Sequence, residues 1–359
     1  VTAVGVVGSS ARAAVHSLAR AGITAWAVDQ FADRDLTRLA PCAVCPPERY
    51  PDAIPKLAAG FPPGTVLYTG SLENHPHVVR ELAAERQLLG NPPPVLARVR
   101  DPFTLFPALA GAGFAVPRLV PPGERCPSDG RWLRKPIRSG GGLGIRFAQP
   151  GEAASSFHYF QEYIDGVPMS ALFVSDLAET FVWPDGTELF GVTQQLIGEP
   201  WLHARPFAYC GNIGPVELPS APEAKLSVDA LVANRALGVR GLWGLDFVWH
   251  NGAAHPVEVN PRYTAAVEVL ELGTRCAVLG THCECFTAGP ALAGFKTPRT
   301  YHTPVGKAIY FAPRALTFPR AGPWDADLAG RFDPWRVPTF ADIPEPGSAI
   351  EPGSPVLSF

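Results

Sequence analysis

The sequence predicts a mixed fold, a parallel α/β layer followed by an α+β body, and three observations carry that expectation. Residues 4–7 form an apolar run, 8–12 a glycine-containing turn, 13–21 an apolar-periodic helix and 23–28 a second strand. A strand–turn–helix–strand unit implies parallel neighbours. From about residue 130 strand-like runs dominate, broken by a long helix at 221–237. The 40 prolines crowd into 92–94 and into the stretch from Pro313 onward, marking connections and a loop-rich C-terminal part. At 359 residues the chain has room for two or three domains and a substantial core.

Composition excludes several classes. With 47% hydrophobic residues and a formal charge of −3, the chain reads as globular and advertises no basic surface for nucleic acid. It contains no apolar run long enough to span a membrane. The N-terminus enters a strand with no positively charged leader, so the expected location is the cytoplasm. An odd count of seven cysteines argues against a disulfide framework. Cys42 and Cys45 have C-x-x-C spacing without a second pair, and Cys283 and Cys285 flank a weak metal pattern with His282. All seven read as structural or incidental, with metal or redox roles as the alternative.

Gly22 ends the first helix. The turn at 8–12 suits an anion through its backbone N–H groups, yet Gly5 and Gly8 alone make a poor dinucleotide fingerprint. Asp29, Phe31, Asp33 and Asp35 follow the second strand and read as a solvated loop with helix-capping aspartates; a substrate role is the alternative. Residues 66–68 are a strand leading into Gly70-Ser71-Leu72-Glu73-Asn74-His75, on the side where open α/β sheets take ligands. A helix at 78–89 ends at Gly90-Asn91-Pro92, where the first domain boundary is drawn. Residues 101–113 are a helix with Pro102 in its first turn, and 116–120 exit as a strand. Strands follow at 131–136, 157–164, 170–175 and 189–196, then a turn-rich segment at 207–215. The 221–237 helix precedes two strands carrying Asp246 and Glu258, a helix start at 265–271, and short strands at 305–311 and 356–359.

One ordered set of residues carries chemistry. Lys135 at a strand edge can neutralise phosphate charge. Gly140, Gly141, Gly142 and Gly144, after Ser139, let backbone close over phosphates without side-chain clash. Residues 162–164 can place backbone groups and a carboxylate against an adenine edge. Strand alternation sends Glu258, Asn260 and Arg262 to one face, where Glu258 and Asn260 with Asp246 form an oxygen-rich set for Mg²⁺, or Mn²⁺ in its place. Arg262 can steady a transferred phosphoryl group or an oxyanion. Taken singly, a triple-glycine loop is commonly a turn and an arginine an ion-pair residue; order and spacing make them a nucleotide site.

The runs K-P-x-x-S-G-G-G-L-G from Lys135, Q-E-Y-I-D-G from Gln161, G-L-D-F from Gly244 and E-V-N-P-R from Glu258 resemble, in this order, the ATP-grasp superfamily of carboxylate–amine and carboxylate–thiol ligases. The resemblance implies an ATP-grasp fold at 96–290, with a mobile lid at about 118–160. It also implies a Rossmann-like (pre-ATP-grasp) domain at 1–95, ahead of a small proline-rich, β-containing region at 291–359. It implies ATP and Mg²⁺, with Lys135 on phosphate, Gln161 and Glu162 near adenine, Tyr163 and Ile164 as hinge backbone and Asp165 at the ribose. Asp246, Glu258 and Asn260 would be metal ligands and Arg262 the catalytic arginine. A narrower resemblance rests on D-x-F-A-D-x-D at Asp29, G-S-L-E-N-H-P at Gly70, L-L-G-N at Leu88, S-A-L-F-V at Ser170 and F-A-Y-C-G-N-I-G-P at Phe207. These are similar to predicted ATP-dependent carboligases associated with tetrahydromethanopterin and methanofuran biosynthesis.

Two departures stand out. Arg100-Asp101-Pro102 replaces the Asp-Lys common in members, so Arg98 or Arg100 would supply the second phosphate cation. Met169-Ser170 replace a frequent Glu, leaving the ribose contact open. The expected reaction is ATP-driven amide formation through an acyl phosphate, with small-molecule carboxylate and amine substrates and an amino acid such as glutamate as a plausible amine. Such enzymes often form homodimers. The alternatives are a small-molecule kinase and a nucleotide-binding regulatory protein without turnover.

Overall fold

In a computed structural model of the protein, residues 3–176, 186–287 and 303–359 are described. The parallel α/β layer is present. Its sheet runs Cys42–Val44, Ala25–Asp29, Val4–Val7, Thr65–Tyr68, Gln87–Leu88, with the pairs parallel throughout. The central strand Val4–Val7 is buried along its whole length, as expected of a strand covered on both faces. Gly5 has a local reason: a Cβ there would lie 2.2 Å from the Trp26 ring.

Three sequence expectations change here. The helix expected at 78–89 is Pro76–Glu85, and its last residues turn out as the edge strand Gln87–Leu88. The 207–215 segment contains a strand, Tyr209–Gly214, because its neighbours on both sides pair with it. The acid loop after Asp29 is not solvated: Asp29 and Asp33 are buried. Asp29 accepts N–H bonds from Ala11 (2.6 Å), Phe31 (2.6 Å) and Ala32 (2.7 Å), tying the glycine turn to its own loop.

A four-stranded antiparallel sheet runs Leu119–Val120, His158–Glu162, Trp132–Pro136, Arg146–Phe147. It has a small core of its own around Cys126, Trp132, Ala154 and Phe160. The largest sheet has seven strands, in the order Ala253–Asn260, Gly241–His250, Val167–Ser175, Thr187–Ile197, Tyr209–Gly214, Val305–Phe311, Pro355–Ser358. Chain from beyond residue 303 thus extends the edge of this sheet. The helix Ser220–Leu237 lies against one face, where Phe173 stacks on Trp243 at 4.6 Å.

The parallel layer and the large sheet share a core that includes Leu18, Ala27, Leu172, Phe190, Leu270 and Leu279. The helices Ala266–Thr274 and Val278–Phe286 carry it between them. Both ring nitrogens of His282 are used by backbone: Leu242 N–H donates to Nδ1 (2.8 Å), and Nε2 donates to Leu89 O (3.0 Å). That histidine is therefore a structural staple, and the metal pattern it suggested with Cys283 and Cys285 has lost its nitrogen.

Asn91 is the second staple. Fully buried, it donates Nδ2 to Arg240 O (3.0 Å) and Pro261 O (2.9 Å) and accepts from Arg240 N–H (2.9 Å). Replacing it by alanine strands these backbone groups away from water. Asn91→Ala is expected to lower unfolding stability by about 3 kcal/mol, seen as a shifted urea midpoint at unchanged m-value; a midpoint shift within error would remove Asn91 from this role.

Candidate active site

The hairpin Gly241–His250/Ala253–Asn260 sets Asp246 directly opposite Glu258, with a bulge immediately after Asp246. Asn260 Nδ2 donates to Asp246 Oδ2 (3.0 Å). The strand ends at Asn260, and Arg262 reaches the same place from the turn that follows, where its N–H bonds to Asn260 O (2.9 Å). Asp246, Glu258, Asn260 and Arg262 all line one cavity of about 810 Å³, within the usual size of ligand pockets. Lys135, Gly140, Gly141, Gly142, Gln161, Glu162, Tyr163 and Ile164 line it too. Ser139 lines a small adjoining cavity of about 60 Å³ that also touches Lys135 and Glu258. Gly144 and Asp165 are not among the lining residues, and Asp165 is exposed.

The wall opposite the hairpin is the glycine loop. Tyr209 N–H donates to Gly141 O (3.1 Å), and Ser139 Oγ donates to Leu143 O (2.8 Å). Gly142 takes φ of 77°, and a Cβ there would lie 1.8 Å from Phe207 O, so only glycine allows this approach. Phe147 meets Phe207 edge-on at 5.3 Å. Lys135 Nζ donates to Gln161 Oε1 (3.0 Å) and lies 3.4 Å from Val257 O, spanning both sheets. The Glu162 carboxylate accepts from Arg118 N–H (3.1 Å) and Nη2 (3.0 Å), and these bonds hold it below the ordinary carboxylate range. The Arg131 guanidinium lies over the Tyr163 ring at 4.2 Å.

Arg98 and Arg100, the two candidates for the second phosphate cation, sit in different surroundings. Arg98 donates to Leu237 O (3.1 and 3.0 Å) at the end of the long helix. Arg100 pairs with Glu258 and donates to Asn74 Oδ1 (3.1 Å) and Ser139 O (2.8 Å), joining the carboxylates to the glycine loop.

Sequence reasoning set Glu73 on the ligand side of the sheet but missed its pairing with Arg262. It sits in a short turn behind Ser71, whose φ of 75° is uncommon outside glycine. Glu73 is 2% exposed and accepts from Arg262 Nη2 at 2.6 Å. Burial alone would push Glu73 up, but Arg262 holds it below its usual value. The available signal was position: Glu73 follows the end of the strand Thr65–Tyr68, on the ligand side of the sheet.

The donor set suits a hard cation. Asp246, Glu258 and the Asn260 amide supply oxygen ligands, and among the described residues no cluster of three or more His, Cys, Asp or Glu side chains could hold a metal by itself. Two carboxylates completed by phosphate oxygens is the usual arrangement for Mg²⁺. Two further atoms call for a ligand. Arg262 Nε and Thr264 Oγ1 are buried without a partner, on residues that line the cavity.

A family model described as the ATP-grasp domain matches residues 99–266. The biotin carboxylase domain of Hydrogenobacter thermophilus 2-oxoglutarate carboxylase, solved with MgADP and bicarbonate, superposes with a TM-score of 0.70 at 14% identity over 99% of this chain and 85% of that one. An L-amino acid ligase from Bacillus licheniformis gives 0.70 at 14% identity, covering 100% and 92%. N5-carboxyaminoimidazole ribonucleotide synthetase from Thermus thermophilus gives 0.65 at 15% identity, covering 99% and 92%. No curated protein sequence matches significantly. The fold is therefore ATP-grasp, with a parallel-sheet layer in front of antiparallel sheets.

Two outcomes follow from the charges. Burial, and then Glu258, push Asp246 up to about 6. A folded-state pKa above the unfolded value means that Asp246 favours folding in acid, and that this contribution is lost as pH climbs from about 4 through 6. Asp246→Asn is therefore expected to raise stability of the ligand-free protein by about 2 kcal/mol at about pH 8 and by almost nothing at about pH 4; equal melting shifts at both pH values would refute it. Glu73→Ala leaves Arg262 without its counter-charge and is expected to cost about 3 kcal/mol near neutrality. Because Glu73 has a depressed pKa, the loss should shrink as pH falls through that lowered value. Paired urea titrations near neutrality and in acid check the sign.

Proposed function

Residues 99–266 are an ATP-grasp domain, and on that premise we propose that the protein is an ATP- and Mg²⁺-dependent carboxylate–amine ligase. One observation carries the reading: Lys135, the glycine loop, the 161–164 hinge, the Asp246/Glu258/Asn260 set and Arg262 face a single cavity. ATP with Mg²⁺ supplies the phosphoryl group that turns a carboxylate into an acyl phosphate and releases ADP. The amine then attacks the acyl carbon, phosphate departs, and the amine gives up a proton.

The chain's own contribution is positioning and charge. Lys135 and Arg100 offer cationic donors at the junction of the glycine loop and the carboxylates. Asp246, Glu258 and Asn260 would hold the cation. Arg262, anchored by Glu73 through Nη2, keeps Nε free for the oxyanion that develops during attack, and Thr264 Oγ1 offers a second donor nearby. No side-chain nucleophile is required. Gly140 to Gly142 line the site with backbone alone.

The finer assignment is the addition of an amino acid such as glutamate to a precursor of a one-carbon carrier of the tetrahydromethanopterin or methanofuran type, in the cytoplasm and as a homodimer. Its support is the set of short motifs from Asp29 to Pro215 noted above and the likeness to a solved L-amino acid ligase. No helix among the described residues is long and apolar enough to cross a membrane.

Hydroxylamine trapping tests the reaction class. With ATP, Mg²⁺ and the right acid, a hydroxamate should form, and ADP release should need both acid and nucleophile. ADP release with a stable phosphorylated product and no hydroxamate would assign a kinase instead. Arg262→Ala should lower kcat by about 10²–10³ with little change in the KM for ATP. Retained turnover in Glu258→Ala with Mg²⁺ present would sink the metal assignment.

A further inference from the structure

A second cavity, of about 230 Å³, lies away from the site above. The helix Arg12–Arg20, the segment around Asp35 and Arg38, the helix Ala266–Thr274 and the C-terminal stretch 327–340 enclose it. Its charged lining is unevenly satisfied. Every carboxylate facing it is engaged. Asp35 accepts the N–H groups of Asp342 and Ile343, both at 3.0 Å. Glu268 is held by Arg12 and by Lys307 (2.8 Å). Asp327 accepts from Arg336 (2.9 Å), Thr339 N–H (3.1 Å) and Phe340 N–H (2.9 Å), and Asp333 accepts from Trp335 N–H (3.0 Å).

Of the arginines in the lining, Arg336 is matched by Asp327, and the other three are less fully satisfied. Arg20 is 8% exposed and spends Nε on Glu271 (2.6 Å) and Nη1 on Pro334 O (3.4 Å), yet its Nη2 is buried without a partner among the described residues. Among the described residues Arg38 donates to neutral carbonyls alone, Asp327 O (3.4 Å) and Gly330 O (2.9 Å), and meets no counter-ion within bonding distance. Arg331 lines the cavity and is exposed. His16, pushed down to about 3 by burial and by Arg12, stays neutral and adds no charge. A buried guanidinium nitrogen without an acceptor costs free energy unless something supplies one.

We propose that this cavity is a binding site for a phosphate-type oxyanion, either free phosphate or the phosphoryl group of a small phosphomonoester. Arg20 Nη2 would give the buried contact, with Arg38 and Arg331 at the mouth. The geometry suits arginine's planar donors, which recognise such groups better than a point charge does. The volume admits a small ligand and not a nucleotide. The helix Ala266–Thr274 joins the two cavities, since Ala266 lines the first and Glu268 and Leu272 the second.

The test is titration of the full chain with inorganic phosphate, and separately with glycerol phosphate, by calorimetry. Saturable binding is expected, weakened at least about tenfold in Arg38→Gln/Arg331→Gln and retained in Lys135→Ala, which does not touch this second cavity. The arm that binds tighter identifies the source of the oxyanion. If the double variant is unstable, Arg331→Gln alone, exposed and outside the core, serves. Absence of saturable binding at millimolar ligand, or binding abolished by Lys135→Ala and unaffected by the arginine variants, would overturn the site.

Discussion

Arg262 is a cation withdrawn from water, and Glu73 is what makes that position tolerable. A lone buried guanidinium costs several kcal/mol, and its partner comes from 189 residues away in the chain. The neighbours of Arg262 are held from the same side. Pro261 O accepts from Asn91, and Tyr263 Oη donates to Ala13 O at 3.1 Å. Every residue of the turn after Asn260 is thus fixed by the parallel layer. The hairpin with the acids and the layer with Glu73 cannot be separated without exposing unpaired charge, so the arginine has its place only once both have folded together.

The glycine loop is held by much less. One backbone hydrogen bond, an edge-on aromatic contact and the contacts of Asn74 and Arg100 with Ser139 O close it over the cavity. Its sheet has a separate small core that does not depend on the large one. These few bonds hold the loop at the entrance, whereas Arg262 is pinned by the layer. Rigidity is concentrated at the proposed bond-making end and weakness at the entrance, which is the distribution that a gated site needs.

How much of this was legible in the sequence follows from how local each signal is. Lys135, the glycines and the Asp246/Glu258/Asn260 set were readable because strand alternation and loop composition act over a few residues. The parallel layer was readable for the same reason. Gly144 and Asp165, carried over with their motifs, do not line the cavity, because motif membership does not say which way a residue faces. The strand Tyr209–Gly214 was hidden by its glycines and proline, and only pairing on both edges makes it a strand. Glu73 and Asn91 were hidden most deeply. Each sits in an irregular segment and acts on a partner more than 140 residues away, and no periodicity reports a partner at that distance.

The acids of the hairpin show how the protein carries two carboxylates side by side. Asp246 and Glu258 face each other across the hairpin, and their repulsion adds to the burial that raises Asp246. Arg100 offsets this by pairing with Glu258. A divalent cation on the same carboxylates would compete with Arg100 for Glu258, since both are positive and both need its oxygens. Arg100 also contacts Ser139 O in the glycine loop and Asn74 in the layer, so its release has somewhere to go: toward phosphate oxygens beneath the loop. Under the proposed function, one arginine would then serve as counter-ion before the ligand arrives and as phosphate contact afterwards. An arginine suits this position because its planar fork reaches the carboxylate, the loop carbonyl and the amide at once, and an ammonium is a single point charge.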